Sequence, residues 1–234
     1  MNIIAIDASG LSGSVAYISD YKLVGEYYIC HKLTHSQTIM PMLEHLKNMI
    51  GLDLETVDAI AVTSGPGSFT GIRIGVATAK AMALAIGVPI IGIPTLDVMA
   101  HNIPFAEQII CPIMDARRNQ VYTAIYKWQA GKLQREGDYL AIEIDELLER
   151  LEGRKTIFLG DGVDVLQGKI TQVMGEAALF APSFVHMQRA SVLAQLACEA
   201  FEKGEIVDAD AFVPMYLRKS QAERELEERE NSGH

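Results

Sequence analysis

The chain has 234 residues, 49% of them hydrophobic and 21% charged, with a formal net charge of -10. That apolar content excludes disorder over the bulk of the chain and suffices for one large or two small cores, while the acidic surplus repels phosphate backbones and excludes autonomous nucleic-acid binding by the surface as a whole. Cys30, Cys111 and Cys198 stand far apart without Cys-x-x-Cys spacing, which excludes a disulfide scaffold or zinc knuckle and predicts buried thiols in a reducing compartment.

The chain opens directly into Asn2-Ile3-Ile4-Ala5-Ile6-Asp7 with no basic leader. No apolar run approaches about 18 residues free of charge, Gly or Pro, so a cytoplasmic protein without a membrane segment is expected. Strands are predicted over 2–7, 14–19 and 23–29. Thr34-His35-Ser36-Gln37 reads as a capping box, after which Ile39, Met42, Leu43, Leu46, Met49 and Ile50 recur at helical spacing until Gly51. A strand over 58–63 leads into Ser64-Gly65-Pro66-Gly67-Ser68-Phe69-Thr70-Gly71-Ile72-Arg73. There the glycines allow close backbone approach and Ser68 can cap the next helix, whose start could hold an anion. The turn lacks the Lys of a Walker loop and does not match the dinucleotide fingerprint.

In that helix Gly71, Gly75, Ala79 and Ala83 form an i,i+4 row with Ala77, Ala81 and Ala85 between them, so a second helix could approach more closely than the usual ~8 to 10 Å. The row fits either a core helix or a docking face. Gly87-Val88-Pro89 ends it, and a strand follows over 90–93. The second half repeats the plan: strands over 109–114, 120–127 and 138–142, a helix over 145–151, a strand over 156–159, the turn Gly160-Asp161-Gly162, and helices over 165–174 and 191–201. Both halves place an Asp, Asp7 and Asp115, at the end of the first strand before a hairpin, which reads as an internal duplication. The expected division is a first lobe over 1–105 completed by the helix within 188–203, a second lobe over 106–187, a C-terminal segment over 204–218, and a charged tail over 219–234 expected to be disordered.

Duplicated lobes with hairpins turning at Asp resemble the actin and hexokinase type of ATPase, in which phosphate loops line a cleft between lobes. Asp7, Ser9, Asp115, Arg117, Gly160 and Gly162 take the places of such loops, as a vestigial nucleotide cleft. The two acids read either as metal organisers or as hairpin Asx-turns, and Arg117 and Arg118 crowd the second loop where small residues would let amides reach phosphates. No catalytic residue, metal site or cofactor is assigned. His31 and His35 have i,i+4 spacing but straddle a strand end and a helix cap, which suits surface or capping roles.

The segments Ser64 through Gly75, Met114-Asp115-Ala116-Arg117 and Pro214-Met215-Tyr216-Leu217-Arg218 resemble the hallmarks of the bacterial TsaB (YeaZ) family over about residues 1–220. The resemblance implies an α/β, two-lobed actin/hexokinase-like (ASKHA, ribonuclease H-like) fold with duplicated lobes. It implies a non-catalytic subunit that heterodimerises with TsaD, assembles with the ATPase TsaE, and supports threonylcarbamoylation of adenosine 37 in tRNAs reading ANN codons. TsaD would hold the metal and transfer the group. The catalytic sister carries His-x-x-x-His shortly after the strand equivalent to 90–93, whereas His101 is the single His here. The partner interface is then expected on the two N-terminal helices, at Ile39, Met42, Leu43, Leu46 and Met49 on one and Ile72, Gly75, Val76, Ala79, Met82 and Ala83 on the other. The same face could pair two copies as a homodimer. Arg73 and Arg117 are expected to anchor a turn or a lobe contact, with a direct tRNA contact as the other reading. A peptidase-like enzyme or a small-molecule kinase is the alternative function. Neither His-Glu-x-x-His nor Gly-x-Ser-x-Gly occurs, and Arg117 and Arg118 oppose the kinase.

Overall fold

The computed structural model describes residues 1–218; the tail over 219–234, expected above to be disordered, lies outside the described residues. Its first half is β1 (Asn2–Asp7), β2 (Gly13–Ser19), β3 (Lys22–Ile29), α1 (His35–Ile50), β4 (Ala59–Gly65), α2 (Phe69–Ile86), β5 (Ile90–Pro94) and α3 (Thr95–His101). The same order returns as β6 (Ile109–Asp115), β7 (Gln120–Gln129), β8 (Lys132–Glu143), α4 (Ile144–Arg150), β9 (Thr156–Leu159), α5 (Asp161–Met174), β10 (Ala178–Phe180) and α6 (Ala190–Glu202). The two five-stranded sheets have matching orders, β3-β2-β1-β4-β5 and β8-β7-β6-β9-β10. In each, the first strand is antiparallel to the second and parallel to the fourth. The duplication legible in the two aspartates is therefore complete at the level of topology.

β1 and β4 read as unbroken apolar runs because helices cover both faces of the sheet. Ile4, Ile6, Ile60 and Val62 pack beneath α1 and α2, while Ile3, Ala5, Ala59 and Ala61 pack on α6. In the second lobe Ile109, Cys111 and Ile113 meet α4 and α5. The last helix of each repeat crosses to the other lobe. α3 sets Leu96, Met99 and Ala100 against Ile110, Met114 and Tyr126 of the second sheet, and α6 sets Leu193, Ala194 and Ala197 against the first. This exchange ties the lobes together.

α3 and β10 are absent from the expected elements for physical reasons. α3 has seven residues, five of them buried, so it shows no amphipathic period, and β10 has three residues. β8 begins at Lys132, earlier than expected, and α5 begins at Asp161, so only Gly160 stays outside the helix. α2 is the one helix among the described residues long and apolar enough by length and composition to cross a membrane, its 18 residues having a mean hydropathy of 1.4 although Gly71, Arg73, Gly75 and Lys80 interrupt the run. It nevertheless lies along β4, with a third of that window buried. Cys30 is exposed, contrary to the expectation of three buried thiols, whereas Cys111 and Cys198 are buried.

Candidate functional site

Between the lobes lies a cavity of about 580 Å³, walled by the turn entering α2, the β6–β7 loop, the start of α5 and the C-terminal segment. The loops meet here because β1, β4, β6 and β9 all point their ends at it. On the first-lobe side Asp7 is fully buried. Its Oδ1 accepts from Ser9 Oγ at 2.6 Å, Thr63 Oγ1 at 2.8 Å and the Ser9 amide at 3.3 Å, while Oδ2 has no partner. Burial pushes the Asp7 carboxyl above the ordinary aspartate value, its hydrogen bonds opposing this in part.

Gly10 and Leu11 of the β1–β2 turn line the cavity, whereas Asp7, Ala8 and Ser9 before them are buried. Gln188 Nε2 donates to Ser9 Oγ at 3.3 Å. A Cβ on Gly67 would strike the Ser9 carbonyl, and one on Gly71 the Ala8 carbonyl. Here the glycines of the turn serve to let two loops touch. Two amides at the α2 start are taken: Ser68 N donates to Ser9 O at 2.7 Å, and the predicted cap is present, with Gly71 N donating to Ser68 Oγ at 3.2 Å. The chain's own carbonyl and serine oxygens thus occupy part of the expected anion site.

On the second-lobe side Arg117 N donates to Asp115 Oδ1 at 2.8 Å, and Arg117 Nη1 pairs with Asp115 Oδ2 at 3.3 Å. Asp7 and Asp115 both therefore form the hairpin Asx-turns foreseen as one of two readings. Arg117, Arg118 and Asn119 all adopt positive φ, at 67°, 55° and 60°, a conformation costly for residues with a Cβ. Asp161 Oδ1 accepts from the Asp115 amide at 3.1 Å, and burial raises the Asp161 pKa. Gly160 and Gly162 press against the Ile113 carbonyl.

Of the expected cleft residues, Asp115 and Arg117 line the cavity, whereas Asp7, Ser9, Gly160 and Gly162 stand behind its wall. Their small size serves loop packing. Asp161, Asp164, Tyr216 and Arg218 line it without having been assigned there. Three carboxylates with both arginines bonded to neighbours give a poor seat for phosphates. Arg73 anchors a turn: its guanidinium lies 3.9 Å from the Phe69 ring centroid and Nε donates to Tyr216 Oη at 3.4 Å.

α3 carries Asp97 and His101 one turn apart, but Asp97 accepts from Tyr126 Oη at 2.5 Å and Tyr139 Oη at 2.8 Å, and His101 Nδ1 bonds the Asp97 carbonyl at 2.7 Å. Among the described residues no group of three His, Cys, Asp or Glu side chains is placed to hold a metal. His35 Nε2 bonds Gly10 O at 2.8 Å, and His31 is exposed.

The expected helix interface requires correction. Ile39, Met42, Leu43, Leu46, Ile72, Val76, Ala79 and Ala83 are buried in the first core, as is Gly75; Met82 is half-buried, and only Met49, 75% exposed, faces out. Helical periodicity in large apolar residues marks the face that meets the sheet. What is open is the opposite face: Met40, Met49 and Leu84 are exposed, with Pro41, Ala77, Ala81 and Ala85. An apolar groove of about 370 Å³ runs there between Met40, Pro41, Leu52, Leu54 and Met82, edged by Glu44 and Lys47.

The family model for tRNA N6-adenosine threonylcarbamoyltransferase (TsaD) matches residues 31–226. The chain is 34% identical over 225 residues to the tRNA threonylcarbamoyladenosine biosynthesis protein TsaB of Bacillus subtilis (strain 168), covering 95% of this chain and 96% of that one. It is 29% identical over 236 residues to TsaB of Escherichia coli (strain K12), covering 97% and 98%. The solved structure of YeaZ from Pseudomonas aeruginosa superposes with a TM-score of 0.79 at 27% identity, over 92% of this chain and 99% of that chain. On whole-length similarity and on the shared two-lobed fold, the chain belongs to the TsaB (YeaZ) family of tRNA threonylcarbamoyladenosine biosynthesis proteins.

Proposed function

We propose that the chain acts in tRNA threonylcarbamoyladenosine formation as a non-catalytic subunit that docks the outer face of α1 and α2 on a TsaD homologue and assembles with the ATPase TsaE. The observation carrying this reading is the uncovered face: α2 has a mean hydropathy of 1.4 with only a third of its window buried, and it borders an apolar groove. The small outward residues Ala77, Ala81 and Ala85 let a partner helix approach closely. A helix pair from a homologous subunit matches this shape, and a stable interface would bury roughly 1,200 to 2,000 Å². Without that partner the same face can meet its own copy about a two-fold axis. The cleft supports the non-catalytic part, since Asp7 is buried, two of the amides at the α2 start are taken and Asp97 is held by two tyrosines. Ser68 caps a helix, which disfavours a peptidase-like nucleophile there.

The test is Ala81→Arg, measured by calorimetry with TsaD and by formation of modified tRNA in a mixture with TsaD and TsaE. An unpaired charge forced into a close helix seam costs about 3 kcal/mol or more, so affinity should fall at least ~100-fold. Folding should be unchanged within about 0.5 kcal/mol because Ala81 is exposed. Undiminished affinity would refute the interface, and turnover of nucleotide or peptide by the isolated chain would refute the non-catalytic role.

A further inference from the structure

The glycine turn over 64–73 and the C-terminal segment form one site, Arg73 and Tyr216 meeting across 143 positions of sequence. The segment first joins the edge of the first sheet, where Ile90 and Val207 exchange backbone hydrogen bonds at 2.8 and 2.9 Å. Lys80 Nζ then holds the carbonyls of Asp210 and Phe212 at 3.2 and 3.0 Å, and Phe212 is buried over Gly92. Met215 N donates to Ser64 O at 2.8 Å, while the Met215 carbonyl passes where a Cβ on Gly65 would stand. Tyr216 packs its ring 5.0 Å from that of Phe69 and accepts from Arg73. Beyond it Arg218 leaves the first lobe and bonds Gln120 Oε1 and the Ala116 carbonyl, on the β6–β7 loop of the second. That loop holds the three consecutive left-handed residues.

We propose that the turn is a peptide-recognition site whose occupant is the chain's own segment over 212–218, and that this segment is a strap fixing the angle between the lobes. Gly65, Phe69 and Arg73 are the receptor on one lobe, and Arg218 is the hook that reaches the other. Residues 215–218 form one wall of the interlobe cavity, so release of the strap widens the cleft and relaxes the β6–β7 loop. This assignment does not depend on which partner α1 and α2 bind.

The experiment places spin labels at exposed Asn48 on α1 and exposed Glu149 on α4 as Asn48→Cys and Glu149→Cys, in a Cys30→Ser background, and reads the interlobe distance distribution by pulsed electron resonance. The full chain should give one narrow distribution. Ending the chain at Met215 keeps Phe212 in the core and should broaden the distribution by at least twofold. Arg218→Ala in the full chain should do so in part, and ending the chain at Arg218 should leave the distribution narrow. Equal distributions in all chains would overturn the proposal, as would broadening on loss of 219–234 alone. Circular dichroism and urea midpoints establish that each variant is folded.

Discussion

Gly92 and Phe212 offer a sharp test of how the C-terminal segment is held. Phe212 is 6% exposed, and truncating a buried Phe to Ala costs 3–5 kcal/mol. At the rim of the first core we expect about 3 kcal/mol for Phe212→Ala. Gly92 lies in β5, and a Cβ there would meet Phe212 Cε2, with Cζ at 2.7 Å and Ser64 Cβ at 3.4 Å. Gly92→Ala therefore overpacks the site at 1–3 kcal/mol, offset by about 0.5 kcal/mol from the lower backbone entropy of Ala in a strand. The two changes should not add. Once the ring is gone, the new methyl fills part of the space it left, so the double variant should be at least ~1 kcal/mol more stable than the sum of the single losses predicts. Urea unfolding followed by circular dichroism reads all four corners of the cycle. Additivity within about 0.5 kcal/mol would refute the packing of the segment over β5.

Asp7→Asn keeps an acceptor for Ser9 and Thr63 and removes a buried charge. Because burial raises the folded-state pKa above the ordinary 3.8, the stability of the native carboxyl is full below that value and lost as pH rises through the raised one. The variant should therefore be more stable than the parent at pH 7.5, with the gain vanishing near pH 3.5 in urea titrations at the two pH values. Tyr139→Phe leaves Asp97 Oδ2 without its donor and should cost about 1–3 kcal/mol in the same assay. Burial and Asp97 hold the Tyr126 and Tyr139 hydroxyls well above the usual phenol range, so ultraviolet titration to pH 11 should find both un-ionised until the chain unfolds. Gly75→Leu should lower stability by about 1–3 kcal/mol, because a Cβ there already lies 3.4 Å from Ala8 Cβ; a variant of unchanged midpoint would place this residue on the outer face after all.

Local chemistry made much of the molecule legible before its fold was known. The capping box at Thr34, the Ser68 cap and the left-handed glycines at 51 and 87 fix the ends of α1 and α2 through groups within a few residues of one another. The paired aspartates disclosed the repeat because both form the same short-range Asx-turn. Periodicity identified the apolar stripe of α1 but not its destination. Ile39 and Leu46 look the same in sequence whether they meet a sheet or a partner, and only the tertiary structure put them inside and left Met40 and Met49 outside. Nothing local reports that α3 and α6 exchange lobes, that Ser9 O occupies the α2 start, or that Tyr216 rests on Phe69, since each contact joins separate elements and depends on how the sheets face one another. The sequence by itself determined the elements, their ends and their duplication, because these rest on neighbours along the chain. Which faces stay open, and which polar groups are already taken, was decided only when the two sheets packed.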